Sequence, residues 1–190
     1  MLLGLDCDGV LVKIREHMSL ILKLTRGISV PYYFCTRTYL LSNQILTAEQ
    51  YEDLCQLVYH SKDYAKLLSI QDGAAYWLLK LNELGYQFKV ATHRSDDGIA
   101  LVLPLLSRYG LEFLPFQSIP PKQSKAPALF GCYAYLDDDI QVLDLLQEMP
   151  AKPKLYLFRR AYNIEADINN LDGVIHSWQE YFALVRSWSK

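Results

Sequence analysis

The run Met1-Leu-Leu-Gly-Leu-Asp6-Cys-Asp8-Gly-Val-Leu11 decides how the rest of the chain is read. An apolar segment, Leu2 to Leu5, ends in two carboxylates with one residue between them, and Gly9 follows at once. An unbroken apolar run suits a strand buried on both faces, and the glycine marks a turn. Residues i and i+2 of a strand share a face, so Asp6 and Asp8 project together from the strand end. Two like charges side by side are unfavourable unless a cation or a shared proton compensates them. Water compensates a pair of loop acids just as well, so two readings stand at this point: a solvated surface pair or a charged site. The later strand ends separate them.

From about Val12 to Ile70 the chain mixes helical periodicity with aromatic residues at Tyr32, Tyr33, Phe34 and Tyr39. Ile14, Met18, Ile21 and Leu22 fall on one helix face, and Gly27 ends that helix. Thr47 to Gln50 has the form of a capping box before the helical set Tyr51, Leu54, Leu57 and Val58. No strand or repeat is evident, so residues 15–70 are expected to form a small helical cap inserted behind the first strand. The aromatic cluster is expected in that cap's core, with stacking on a nucleobase as the functional alternative.

Beyond Gly73 strands and helices alternate. Residues 74–84 form an amphipathic helix closed by Gly85, and the strand Phe88 to Ala91 ends in Thr92-His93-Arg94. Ser95 caps the next helix, with Asp96 and Asp97 at its positive end and Pro104 inside. A strand is expected within residues 113–119, then a loop with Lys122 and Lys125, then Cys132 to Leu136 leading into Asp137-Asp138-Asp139. Further strands at 154–158 and 173–176 precede a last helix opened by Trp178. Such alternation implies an α/β fold, a mostly parallel sheet with helices on both faces. Residues 1–14 and 71–190 make the core. Sheets of this kind bind ligands beyond the carboxyl ends of their strands, where these polar residues fall.

Composition narrows the function. The chain has 190 residues, 51% of them hydrophobic, enough for one domain with an insertion. A net charge of −2 gives no electrostatic support for nucleic acid or an anionic membrane. No apolar stretch reaches the roughly 18 residues of a membrane span. The N-terminal run is broken by acids and lacks the basic start of a secretory signal. Cysteines at 7, 35, 55 and 132 show no metal or disulfide spacing, which fits reduced thiols of a cytoplasmic protein. Cys7 is expected in the core and Tyr162 and Trp178 as packing residues.

Acidic oxygens from two strands suit a hard cation such as Mg²⁺. A carboxylate can also attack phosphorus directly, provided nearby positive charge offsets its repulsion from the phosphate dianion. The set Asp6-x-Asp8-Gly-Val, a strand ending in Thr92, a loop lysine and a strand ending in Asp137-Asp138 resembles the four motifs of the haloacid dehalogenase superfamily. That resemblance implies Asp6 as nucleophile and Mg²⁺ ligand, and Asp8 as general acid/base offering its backbone carbonyl to the metal. It implies phosphate binding by Thr92 and a loop lysine, Lys125 in preference to Lys122 because it lies nearer the strand leading to Asp137, and a metal site completed by Asp137 or Asp138. Asp139 is expected to start the next helix. His93 and Arg94 depart from the usual pattern and are candidate substrate- or phosphate-binding residues; Arg94 is expected to bind the leaving group or a phosphate, or to make a salt bridge. The segment from Leu155 to Glu180 is similar to the tail of the 5′(3′)-deoxyribonucleotidases, which implies a nucleotide or other small phosphorylated substrate. The rivals are a non-catalytic metal- and phosphate-binding module, against which the retained Asp8 argues, and a nucleic-acid-end phosphatase. A homodimer stays open.

Overall fold

In the computed structural model, which describes residues 1–188, the chain starts with β1 (Leu2–Leu5) and α1 (Ile14–Arg26). A short 3₁₀ turn (Tyr32–Phe34), α2 (Arg37–Ser42), α3 (Ala48–His60), α4 (Lys62–Ala65) and α5 (Ala74–Glu83) follow. Then come β2 (Gln87–Thr92), α6 (Asp96–Ser107), β3 (Phe116–Ser118), β4 (Ala134–Asp137) and α7 (Ile140–Gln147). The chain closes with β5 (Lys154–Phe158), β6 (Gly173–Ile175) and α8 (Trp178–Ser187).

The six strands form one parallel sheet in the order β3-β2-β1-β4-β5-β6. The chain runs outward one way from β1 through β2 to β3, then crosses back to β4 on its other edge. The reversal opens a crevice at the carboxyl ends of β1 and β4, the place where an open α/β sheet receives a ligand. Register carries the two key residues there. Leu5 pairs with Leu136, and the Asp6 amide donates to the Leu136 carbonyl at 2.9 Å, which brings Asp6 beside Asp137.

Both faces of the sheet are covered, as the apolar strands require. Along β5, Leu155 and Leu157 pack on one side with Tyr135, Leu143 and Leu146. Tyr156 and Phe158 alternate to the other side, among Leu3, Leu5, Val90, Trp178 and Tyr181. That second cluster also takes in Met18, Ile21, Leu40, Leu54 and Val58, so the helices after β1 share a core with the sheet.

The segment expected as an insertion begins and ends at one point. Val12 and Ile70 form an antiparallel bridge, and the Gln71 amide donates to the Leu11 carbonyl at 2.8 Å. The side-chain amide of Gln71 reaches the Gly9 carbonyl at 3.0 Å. Within the insertion, α1 ends on left-handed Gly27, and the Thr47–Gln50 capping box opens α3 with both reciprocal hydrogen bonds. The aromatic turn departs from the expectation of a core cluster. Pro31 precedes a 3₁₀ turn rather than an amphipathic helix, and Tyr32, Tyr33 and Phe34 stay 36–40% exposed.

Candidate active site

Three carboxylates converge at the crevice. Oxygens of Asp6, Asp137 and Asp138 all lie within 4.8 Å of one another. Lys125, on the turn before β4, inserts its ammonium between them and donates to Asp6 Oδ1 at 2.6 Å and Asp137 Oδ2 at 2.9 Å. Lys122, by contrast, is exposed with a left-handed backbone (φ 70°). The geometry therefore brings Lys125 into the cluster.

Asp137 is fully occupied. Its Oδ2 also accepts from the Tyr135 hydroxyl at 2.6 Å, and its Oδ1 accepts the Asp139 amide at 2.9 Å. Asp138 is engaged on one side only, with Oδ2 accepting from the Tyr162 hydroxyl at 2.6 Å. Asn163 donates to the Asp138 backbone carbonyl at 2.8 Å. Asp138 Oδ1 has no donor among the described residues. Its carboxylate lies so close to Gly9 that a Cβ there would stand 2.2 Å from Oδ2, and Gly9 also has a φ of +83°. Any side chain at position 9 would push Asp138 out of the site. Asp139 caps α7 by accepting the Gln141 amide.

One lysine does not neutralise three buried acids. Burial, with the neighbouring carboxylates adding to it, raises the Asp6 carboxyl well above its ordinary range, although Lys125 pulls the other way. Burial and Asp137 together push Asp138 up to about 7. For Lys125 burial opposes the charge, but Asp137 and Asp6 outweigh it and hold the ammonium well above its usual value. The cluster is short of positive charge, and its donors are all hard oxygens. This fits a divalent hard cation such as Mg²⁺.

Asp8 stands apart from this cluster, with its carboxylate in the fork of Arg94. Nε contacts both oxygens at 3.0 Å and Nη2 reaches Oδ1 at 2.7 Å. Arg94 is 4% exposed and lies over the Tyr59 ring from α3, 5.0 Å from its centroid. Of the two roles open to Arg94 from sequence, the structure adopts the salt bridge. Thr92 is buried at the end of β2, its hydroxyl accepting the Arg94 amide at 3.2 Å, and it lines the cavity with His93. His93 Nδ1 sits 3.2 Å from the Ile119 carbonyl.

Close to the Asp8–Arg94 pair lies His17, 2% exposed, with neither ring nitrogen hydrogen-bonded. Burial, then the positive charge of Arg94, lowers its pKa to about 4. In the unfolded chain histidine takes its proton near pH 6.5, so below that pH the unfolded state binds a proton that the folded state refuses. Stability should therefore fall as pH drops from about 6.5 to 4, by roughly 3 kcal/mol from this residue. Denaturant melts across that range should show His17→Leu losing the part of the slope due to His17. An unchanged slope would contradict the assignment.

Two site residues escaped the sequence reading. Tyr162, expected as packing, is a hydrogen-bond donor to Asp138. Tyr135 bridges Lys125 and Asp137. The Tyr135 signal was present, since Tyr135-x-Asp137 has the same i, i+2 spacing as Asp6-x-Asp8. Tyr162 sits on a loop with no periodicity to reveal it. Cys7 and Trp178 are buried as expected, Trp178 also donating from Nε1 to the Val10 carbonyl at 3.2 Å.

Around the cluster is a cavity of about 790 Å³, lined from the insertion by Arg15, Tyr33, Phe34, Arg37 and Tyr39. Phe34 and Tyr39 stack with ring centroids 4.3 Å apart and planes within 7°.

No protein-family model matches the sequence, and no curated protein matches it either. Solved structures do. A HAD family hydrolase from Deinococcus radiodurans superposes with a TM-score of 0.65 at 17% identity, over 98% of this chain and 95% of that one. The fold is that of the haloacid dehalogenase-like hydrolases. A structure described as a dehalogenase matches this fold with a TM-score of 0.62 at 15% identity, over 96% and 95% of the two chains. A predicted phosphoglycolate phosphatase from Haemophilus somnus matches with a TM-score of 0.61 at 16% identity, over 97% of each. Identity this low carries the haloacid dehalogenase-like fold and leaves the chemistry to be argued from the site.

Proposed function

We propose that the chain is a Mg²⁺-dependent phosphomonoesterase acting on a small phosphorylated metabolite through an aspartyl-phosphate on Asp6. The observation that supports this best is the convergence of Asp6, Asp137 and Asp138 within 4.8 Å around the Lys125 ammonium. Asp6 and Asp138 would hold the metal, Asp138 through its free Oδ1, with the Asp8 backbone carbonyl as a further ligand. Asp137 is the positioner of Lys125 in this reading. Bound Mg²⁺ supplies positive charge against the phosphoryl oxygens.

The residues divide the work as follows. An oxygen of Asp6 attacks phosphorus as the bond to the leaving oxygen breaks. Asp8, once turned out of the Arg94 fork and protonated, gives that oxygen its proton. The alcohol departs; water then attacks the phosphoryl group, Asp8 takes its proton, and the Asp6–phosphorus bond breaks to release phosphate and the free Asp6 carboxylate. Thr92 and Lys125 donate to the phosphoryl oxygens throughout. A non-catalytic binding module would have no use for Asp8 as a proton carrier. The Deinococcus hydrolase of similar fold was solved with bound phosphate and sodium, in keeping with an anion and a cation sharing such a site.

A nucleotide is among the substrates the cavity admits, because the stacked Phe34–Tyr39 pair offers a flat aromatic face. The deciding assay is hydrolysis of p-nitrophenyl phosphate with and without Mg²⁺. Turnover is expected only with the metal, and Asp8→Asn should lower it about 10²- to 10⁴-fold. No turnover under either condition would sink the proposal. Equal rates on sugar phosphates and nucleotides would sink its nucleotide branch.

A further inference from the structure

Arg15 is an arginine in an unfavourable place. It is the second residue of α1, where a cation faces the positive end of the helix dipole. No carboxylate lies within ion-pair distance of it among the described residues. Nη1 donates to the Cys35 carbonyl at 2.7 Å, and the guanidinium lies 5.3 Å from the centroid of Tyr162. Nε is buried with no partner at all. A guanidinium is always charged, and burying one of its donors unpaired is destabilising by an amount that the Cys35 carbonyl does not offset. The same side chain lines the cavity of the candidate active site, separated from Asp138 by Tyr162, whose hydroxyl is bonded to Asp138.

We infer that Arg15 receives a second anionic group, a carboxylate or phosphate carried on the leaving-group side of the substrate. This rests on the proposed phosphomonoesterase site and narrows its substrate class. Charge complementarity supplies the argument: Asp6, Asp137 and Asp138 leave the inner cavity acidic, so an anion on the leaving group finds its cation only toward the insertion. There Arg15 offers an uncommitted donor beside the aromatic face, and Arg37 lines the same wall. A planar guanidinium binds carboxylate or phosphate with two parallel hydrogen bonds. Among nucleotides this admits a nucleoside bisphosphate and disfavours a nucleoside monophosphate.

The test uses binding, so it does not depend on turnover. Three chain-matched phosphonates are titrated calorimetrically into the full chain with Mg²⁺: propylphosphonate, 3-phosphonopropionate and 1,3-propylenediphosphonate. One or both of the probes with a second anionic group should bind about 30-fold more tightly than propylphosphonate, and which one does identifies carboxylate or phosphate as the group read. In Arg15→Gln, whose amide can still donate to the Cys35 carbonyl, that ratio should fall close to one. Should Arg15→Gln fail to fold, Arg15→Lys carries the test, its ratio dropping but staying above one because the charge is kept without the fork. Equal affinities in the natural chain, a ratio unchanged by either variant, or no binding of any probe would overturn the inference. A chain that hydrolyses no phosphate ester but shows the ratio and its loss would overturn the phosphomonoesterase proposal alone.

Discussion

Asp6→Asn is expected to abolish phosphate release while leaving a folded and somewhat more stable protein. The loss should be on the order of 10⁴-fold or more, as for the removal of other enzyme nucleophiles. An amide has the shape of the carboxylate and keeps an acceptor for Lys125, but it does not form the covalent phosphoenzyme. The stability gain follows from electrostatics. Burial and the neighbouring acids oppose ionisation of Asp6 in the fold, so at neutral pH its negative charge is a net burden in the absence of metal. Removing that charge should stabilise the metal-free protein by roughly 1 kcal/mol. Denaturation in the presence of a chelator, paired with a phosphate-release assay, reads both halves. Full activity in Asp6→Asn would end the case for an aspartyl nucleophile.

Lys125→Met is expected to be the most damaging single change to the fold among the site residues. Lys125 is 4% exposed and is the one cation in direct contact with Asp6 and Asp137 among the described residues. Without it two buried carboxylates face each other across the cluster, and Asp137 keeps only neutral donors, the Tyr135 hydroxyl and the Asp139 amide. Removing one member of a buried charge set costs about 3–5 kcal/mol, because the charges left behind are unpaired. For a chain of this size that amounts to a fall in melting temperature of roughly 10 °C. Millimolar Mg²⁺ should recover part of the loss, and more of it in Lys125→Met than in the natural chain. A variant as stable as its parent, with no added response to Mg²⁺, would show that the cluster tolerates its own repulsion.

Much of this arrangement was legible before any coordinates, because strands advertise themselves. Asp6, Asp8, Thr92 and Asp137 each end an apolar run, and the alternation of strands with helices fixes which ends of the runs share a crevice. The parts that were not legible lie where the chain has no period. Lys122 and Lys125 occupy one irregular loop, and only the turn geometry before β4 turns the second inward and the first out. Tyr162 belongs to a turn after β5 whose neighbour in space, Asp138, is 24 residues away in sequence. Arg94 could serve either an anion or an acid; the choice fell to Asp8 because β1 and β2 are adjacent. The aromatic turn at 32–34 was misjudged for a related reason. Clustered rings suggest burial, yet a three-residue turn has no inward stripe.

The central strand has another consequence. β1 leaves the ribosome before both of its neighbours in the sheet, β2 at residues 87–92 and β4 at residues 134–137. The indole that braces the turn behind Asp8 is 168 residues downstream of the carbonyl it holds. Until β4 has emerged the nascent chain therefore carries an apolar strand with an open edge, the kind of segment that pairs with other chains. Pairings this distant are slow to close. Recovery of this protein on expression should accordingly be governed by translation rate, temperature and chaperone supply more than by the stability of the finished fold.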